Sequence, residues 1–312
     1  MAVFITGGYG HIGSWVAYLL AKAGKEVIVY DTHPHGPEYL GTVAHKIRFV
    51  KGDVMDFPFL AGTIKAHQHE IDGIIHTVGI MANFVLENPH RNINLNVGGL
   101  VNVMEAARLF EIEKVLYTST GAVYGAADGI AVEDTFHPNP VDLYSATKIS
   151  AEYIGGQFAE SFGLDFRICR VYFIYGPGRI PSRFIPLYRA AFGALEGIEG
   201  IELEKGADQQ LDYTHVEDAA RGIVLMFNAD TLKHRIYNIA TGQPTSVGEV
   251  AVLTQKYTHF PVSVDIGPGT LMPRCKALDI TRAKEELGFA PKYTLDAGIK
   301  QYADWMARII RK

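Results

Sequence analysis

Short, almost uninterrupted apolar runs alternate in the first half of the chain with longer stretches whose apolar residues recur every three or four positions. The runs are AVFIT, EVIVYD, KIRFVKGD, IDGIIHTV, KVLYTST and DFRICRV. Between them lie HIGSWVAYLLAKAG, NVGGLVNVMEAARLF and the segment from Tyr144 to Phe162, all with helical spacing. Strands that are apolar throughout must be buried on both faces. Alternation with helices then implies an α/β fold, a doubly wound parallel sheet covered on both sides. The pattern breaks after Tyr175, where YGPGRIPSRFIP is rich in Pro and Gly. Beyond it the signals are mixed, with a helix-like VEDAARGIVLMFNA and a strand-like RIYNIA. No internal repeat or low-complexity linker interrupts the chain, so a smaller C-terminal part interleaved with the first half is expected.

Composition narrows the class. The 312 residues are 48% hydrophobic and 20% charged, enough for a sizeable core and too apolar for disorder. The net charge of -5 is mild and no Lys/Arg run occurs, which argues against a nucleic-acid or anionic-membrane surface. No apolar run is long enough to span a bilayer, and MAVFITGG reads as a strand entering a turn rather than a secretion signal. Cys169 and Cys275 form no C-x-x-C and read as small buried hydrophobes, suited to a reducing cytoplasm. His33 and His35, and His67 and His69, form H-x-H pairs without a third ligand at metal spacing, so a loop and a helix end are expected and no metal. His215 reads as a structural histidine before a helix. Trp305, Met306, Ile309 and Ile310 read as a core stripe.

The glycines carry the first chemistry. TGGYGHIG places Gly7, Gly10 and Gly13 three residues apart, after the first strand and at the head of a helix. Such a turn lets a backbone approach a pyrophosphate, and the helix N-terminus supplies N–H groups and partial positive charge. Asp31, at the end of the second strand, is placed to accept bonds from ribose hydroxyls. No arginine follows it closely to receive a 2′-phosphate, which favours NAD over NADP.

DLYSATK holds Tyr144 four residues before Lys148, on one face of a helix. An ammonium beside a phenol favours the phenolate, against an ordinary tyrosine value near ~10. By itself the pair also fits a tyrosine and a lysine on a solvated helix.

TGGYGHIG, Asp31, GDV at 52–54, NVGG at 96–99, TSTGAVYG at 118–125 and YSATK together resemble the extended short-chain dehydrogenase/reductases. The nearest group is the NAD-dependent epimerase/dehydratases that act on nucleotide sugars. The resemblance continues through RVYFIYGPG, LDYTHVEDAA, YNIATGQPTSVGEV and RAKEELGFAPKYTL, almost the whole chain. It implies a Rossmann-type NAD-binding domain over residues 1–172 plus about 214–240, and a substrate-binding part over about 173–213 and 241–312. It implies Tyr144 as acid/base, Lys148 as the cation that lowers its pKa and binds the nicotinamide ribose, and Thr120 as the third catalytic hydroxyl. The implied cofactor-binding positions are Gly7, Gly10, His11, Ile12, Gly13, Asp31, Asp53, Val54, Val78, Asn96, Tyr144, Lys148 and Tyr172. His76 matches a strand end that contacts cofactor through its backbone. Analogy further implies a homodimer through helices near 95–110 and 144–162.

The departures from the family bear on the substrate. Phe173 stands where relatives commonly carry Asn, Leu211 where an Arg grips a diphosphate, and Met81 where a Lys is frequent. Arg183 and Arg274 are the candidates to compensate. With Met81, Thr120, Phe173 and Leu211 they make up the expected substrate site. Gly121 and Ala122 occupy positions where dehydratases and decarboxylases carry extra carboxylates, which predicts neither reaction. The expectation is an NAD-dependent oxidoreductase working at a secondary alcohol or ketone carbon of a sugar-like or small polyol substrate without a full nucleotide handle. The alternatives are a UDP-sugar 4-epimerase with an altered phosphate clamp and a non-catalytic dinucleotide sensor. Retention of both Tyr144 and Lys148 argues for an enzyme.

Overall fold

The computed structural model describes residues 1–81, 86–127, 129–181, 185–198 and 200–310. Its centre is a seven-stranded sheet built from β1 (Ala2–Thr6), β2 (Glu26–Asp31), β3 (Ile47–Lys51), β4 (Ile71–His76), β5 (Lys114–Thr120), β7 (Asp165–Val171) and β10 (Ile236–Ile239). The short β6 (Ile130–Ala131), β8 (Ile201–Leu203) and β9 (Gln210–Leu211) lie outside it. The strand order is β3-β2-β1-β4-β5-β7-β10, and every pairing within it is parallel. The order reverses between β1 and β4, which opens a crevice at the carboxyl ends of the strands. β1 is buried along its whole length, as its unbroken apolar run requires, whereas the edge strand β3 is half-exposed.

Helices cover both faces. Helix α1 (His11–Lys22) packs one face through Trp15, Val16 and Leu20, beside α6 (Val216–Asn228) with Ile223, Met226 and Phe227. The other face is covered by α2 (Phe57–His67), α3 (Pro89–Leu109) and α4 (Leu143–Phe162), through Leu60, Ile64, Leu100, Val103 and Ala151. Helix α4 starts sharply because Asp142 and Ser145 form a reciprocal capping box, and it stops at Gly163, whose φ of 71° suits glycine. Leu143 begins the helix, so Tyr144 lies in its first turn.

A second core gathers the C-terminal residues around α5 (Pro186–Phe192), α7 (Val247–Gln255) and α9 (Leu295–Ile310), with α8 (Thr281–Leu287) leading into α9. The chain interleaves here. β13 (Ala277–Leu278) pairs with β6, and β11 (Thr245–Ser246) pairs with β9. β12 (Val264–Ile266) pairs with β8. In the C-terminal stripe Trp305 and Met306 are buried and Ile309 packs against them, but Ile310 is exposed at the end of the helix, so the expected core stripe is one residue too long. His215 caps α6, its Nδ1 accepting from the Glu217 N–H at 3.3 Å. Among the described residues no helix is long and apolar enough to cross a membrane, and no group of three or more His, Cys, Asp or Glu could hold a metal ion.

Candidate active site

A cavity of about 700 Å³ opens at the carboxyl ends of the strands, bounded by the glycine turn, the end of β5, the start of α4 and the C-terminal part. Gly10, His11, Ile12 and Gly13 line it. A Cβ at Gly13 would stand 2.2 Å from the Gly7 carbonyl, and Gly7 itself has a φ of 71°, so the turn requires glycine at both. Gly10 caps α1 without a side-chain hydrogen bond, which leaves the first N–H groups of the helix available to an anion. Asp31 accepts from the Tyr9 N–H at 2.9 Å and the His33 N–H at 3.0 Å, one bond per oxygen. A carboxylate has further lone pairs to offer a ribose diol. An open glycine cradle, an uncapped helix start and an acid at the next strand end together fit a dinucleotide.

Of the other expected cofactor positions, Tyr144, Lys148 and Tyr172 line the cavity, whereas Asp53, Val54, Val78 and Asn96 lie off its wall. Asp53 accepts from its own turn, the Met55 N–H at 2.9 Å, and Val54 is buried beneath Gly99. Val78 packs beside Gly7. The Asn96 side chain takes the Ile80 N–H at 2.7 Å and donates to the Ile80 carbonyl and to Thr147. These bonds hold the loop before Met81 and leave one lone pair of the amide oxygen for a further donor. His76 is buried with its Nδ1 2.7 Å from the Thr6 hydroxyl, and burial together with the Lys148 charge lowers its pKa to about 3.

Thr120, Tyr144 and Lys148 meet at the cavity wall. Thr120 ends β5, where its hydroxyl accepts the Ala122 N–H at 3.2 Å and lies near enough to the Tyr144 phenol to lower its pKa. Capping its own backbone and acting on the phenol are thus both jobs of one side chain. Lys148 donates to the Thr118 carbonyl at 2.8 Å and lies 4.4 Å from the Tyr117 ring centre. Burial lowers its pKa to about 7, opposed by the Glu152 carboxylate. Behind it, Glu152 accepts from Ser119 and forms a buried ion pair with Arg170 at 2.6 Å.

Burial pushes Tyr144 up to about 12, opposed by the Thr120 hydroxyl and by the Arg179 charge. One of the three donors of the Lys148 ammonium is taken by the Thr118 carbonyl at the end of β5. Arg179 escaped the sequence reading. It follows Gly178 in the GPGR turn, where Trp15 donates to the Pro177 carbonyl at 2.9 Å and His11 Nε2 lies 3.2 Å from the Gly176 carbonyl. The turn thereby carries the guanidinium into the cavity, donating to the Ile174 carbonyl at 3.0 Å and lying over Tyr188. A cation after a Gly-Pro-Gly hinge was the available signal.

Of the expected substrate residues, Met81, Thr120, Phe173 and Arg274 line the cavity. Phe173 has a φ of 34°, a conformation that asparagine tolerates better, which costs on the order of 1–3 kcal/mol. Leu211 is corrected: it is fully buried in the second core, where its β9 position pairs with Thr245, and it does not reach the cavity. Arg183 lies outside the described residues. Tyr172 lines the cavity and donates to the Cys275 carbonyl at 2.8 Å, tying the two parts of the chain together. A Cβ at Gly121 would sit 2.8 Å from Tyr172 and Leu278, so a carboxylate there would displace the wall.

Asp31 makes a direct prediction. NAD should bind more tightly than NADP, because a 2′-phosphate would meet a carboxylate with no counter-charge. Asp31→Ala should narrow the difference. Equal dissociation constants for the two cofactors in the unaltered protein would disprove it.

Comparison with known proteins agrees with this geometry. An uncharacterized protein of Methanocaldococcus jannaschii is 30% identical over 263 residues, covering 82% of this chain and 78% of its own. A UDP-glucose 4-epimerase of Corynebacterium glutamicum is 27% identical over 311 residues, covering 94% and 92%. The crystal structure of a UDP-glucose 4-epimerase with UDP-glucose, from Thermotoga maritima, superposes with a TM-score of 0.88 at 25% identity, over 99% of this chain and 100% of that one. Residues 3–240 match the family described as NAD dependent epimerase/dehydratase, so this chain belongs to that family and is an NAD-dependent enzyme.

Proposed function

We propose that the protein moves a hydride to or from a secondary alcohol or ketone carbon of a sugar-like or small polyol substrate that lacks a full nucleotide handle. The observation that carries this reading is the make-up of one cavity. Thr120, Tyr144 and Lys148 share its wall with Met81, Phe173 and Met272, and its Arg274 is already paired with Asp142. Gly7, Gly10, His11, Ile12, Gly13, Asp31 and Val78 would hold NAD, with Asp53 and Val54 at its adenine and Tyr172 near the nicotinamide. When bound, NAD supplies the acceptor or donor of the hydride. Tyr144 takes the substrate's hydroxyl proton as phenolate and returns it as phenol. Thr120 orients the same oxygen, and the Lys148 and Arg179 charges favour the phenolate.

Following NADH absorbance over a panel of free sugars, sugar acids, polyols and nucleotide sugars tests this, with product analysis to detect epimerisation without net NADH. Turnover confined to nucleotide sugars would refute it. A second reading, a nucleotide-sugar 4-epimerase, is favoured by the names of the relatives and by two arginines at the cavity, Arg179 and Arg274. Tight UDP binding to the NAD-loaded enzyme in calorimetry would select it.

A homodimer through α3 and α4 belongs to the same proposal. Leu109, Ile154 and Phe162 are exposed on these helices, and Tyr153 is 62% exposed. Water-facing apolar side chains of this size on neighbouring helices suit an interface. Light scattering should give twice the mass of the 34.3 kDa chain, falling to one on Tyr153→Glu with Phe162→Glu. A monomer in the unaltered protein would rule the dimer out.

A further inference from the structure

We propose that Asp142 determines how this site treats anions: it occupies the guanidinium of Arg274 and so withholds that cation from a phosphate or carboxylate on the substrate. The inference rests on the reading above, in which Arg274 faces the substrate.

The two carboxylate oxygens of Asp142 have separate tasks. Oδ1 accepts the Ser145 N–H and hydroxyl, both at 2.7 Å, which caps α4. Oδ2 accepts from Arg274 Nη2. Capping needs only an acceptor, and Asn or Ser at the N-cap serves as well as Asp. The negative charge is therefore not what starts the helix; its effect falls on Arg274.

Arg274 cannot readily find another partner by moving its loop. Tyr172 anchors the next residue through the Cys275 carbonyl, and the Lys276 N–H donates to the Gly129 carbonyl at 2.9 Å. Its side chain is only 5% exposed and lines the cavity. Its bond from Nη1 to the Pro273 carbonyl is a long 3.4 Å. A fixed guanidinium gives its fork to whichever anion is present. Here the first is Asp142, one residue before the helix that carries Tyr144. The two charges also act on Tyr144 with opposite sign, Asp142 raising its pKa and Arg274 lowering it, so the closed pair leaves little net field there. An incoming diphosphate has to separate this pair before Arg274 can hold it.

The test is UDP binding by calorimetry on the NAD-loaded enzyme. Asp142→Asn keeps the cap and removes the charge, and Asp142→Ser does the same with a different acceptor. Both should bind UDP about tenfold to a hundredfold more tightly than the unaltered protein, the value of a charge-assisted hydrogen bond. The gain should vanish when Arg274→Ala is added. UDP affinity unchanged or weakened in both variants overturns the proposal, whatever the starting affinity. Tight binding already in the unaltered protein, lost on Arg274→Ala, overturns the small-substrate reading instead. The Asp142 proposal then stands only if Asp142→Asn binds tighter still.

Discussion

Tyr144→Phe is expected to lower turnover by about a thousandfold while leaving NAD affinity largely unchanged, since a positioned acid/base typically contributes about 10²–10⁴ in rate. The substitution removes one oxygen and keeps the ring. That oxygen is on the phenol that shares the cavity wall with Thr120. Burial holds the phenol at about 12, which makes it a good proton donor to a forming alkoxide and a poor base until positive charge gathers round it. Arg179 supplies part of that charge. Turnover should be measured on the substrate found in the panel, beside NAD titrations of the same variant. Activity retained at most of its original level would remove Tyr144 from the mechanism. Lys148→Ala should reduce both turnover and NAD affinity, because its ammonium would serve the cofactor as well as the phenol.

Glu152→Gln should be the most destabilising single change in the polar interior, costing ~3–5 kcal/mol by leaving a buried charge without its partner. Glu152 and Arg170 have side chains only 3% exposed. Arg170 is raised above its usual value by the neighbouring carboxylate, and its guanidinium lies 4.7 Å from the Tyr124 ring centre. Glutamine keeps one acceptor oxygen and turns the other into a donor, so one of the two Arg170 bonds, at 3.1 and 2.6 Å, would be lost. Ser119 and Arg170 would have to share the one remaining oxygen, next to Thr118, which accepts from Lys148. Urea unfolding of the single variant, against a double variant with Glu152→Leu and Arg170→Met, separates the stranded charge from lost packing. The double variant should recover part of the loss, since replacing both partners avoids the unpaired cation. A single variant as stable as the unaltered protein would show that the pair contributes nothing.

The apolar periodicity marked the strands of the sheet and the helices α1, α3, α4 and α6, but not α2. AVFIT, EVIVYD and KVLYTST could be buried on both faces only inside a parallel sheet, and they are β1, β2 and β5. The glycine spacing, Asp31 and the Tyr144–Lys148 pair were legible because the chemistry depends on neighbours within one turn or one helix. What the sequence could not determine depends on residues far apart along the chain. Leu211 looked like a lost substrate contact, but a strand pairing with Thr245 buries it in the second core. Arg179 looked like part of a loop, and Trp15 and His11, more than 160 positions earlier, fix the turn that carries it into the cavity. Lys148 was legible beside Tyr144, four residues before it, whereas only the fold brings Thr120 and Arg179 to the phenol, where both lower its pKa. Asp142 carried no signal of its own in the sequence, and only the fold brings Arg274 to one of its oxygens from 132 positions away. Periodicity and local motifs are one-dimensional signals; electrostatic partners and burial are set by distance in space, which only the tertiary structure decides.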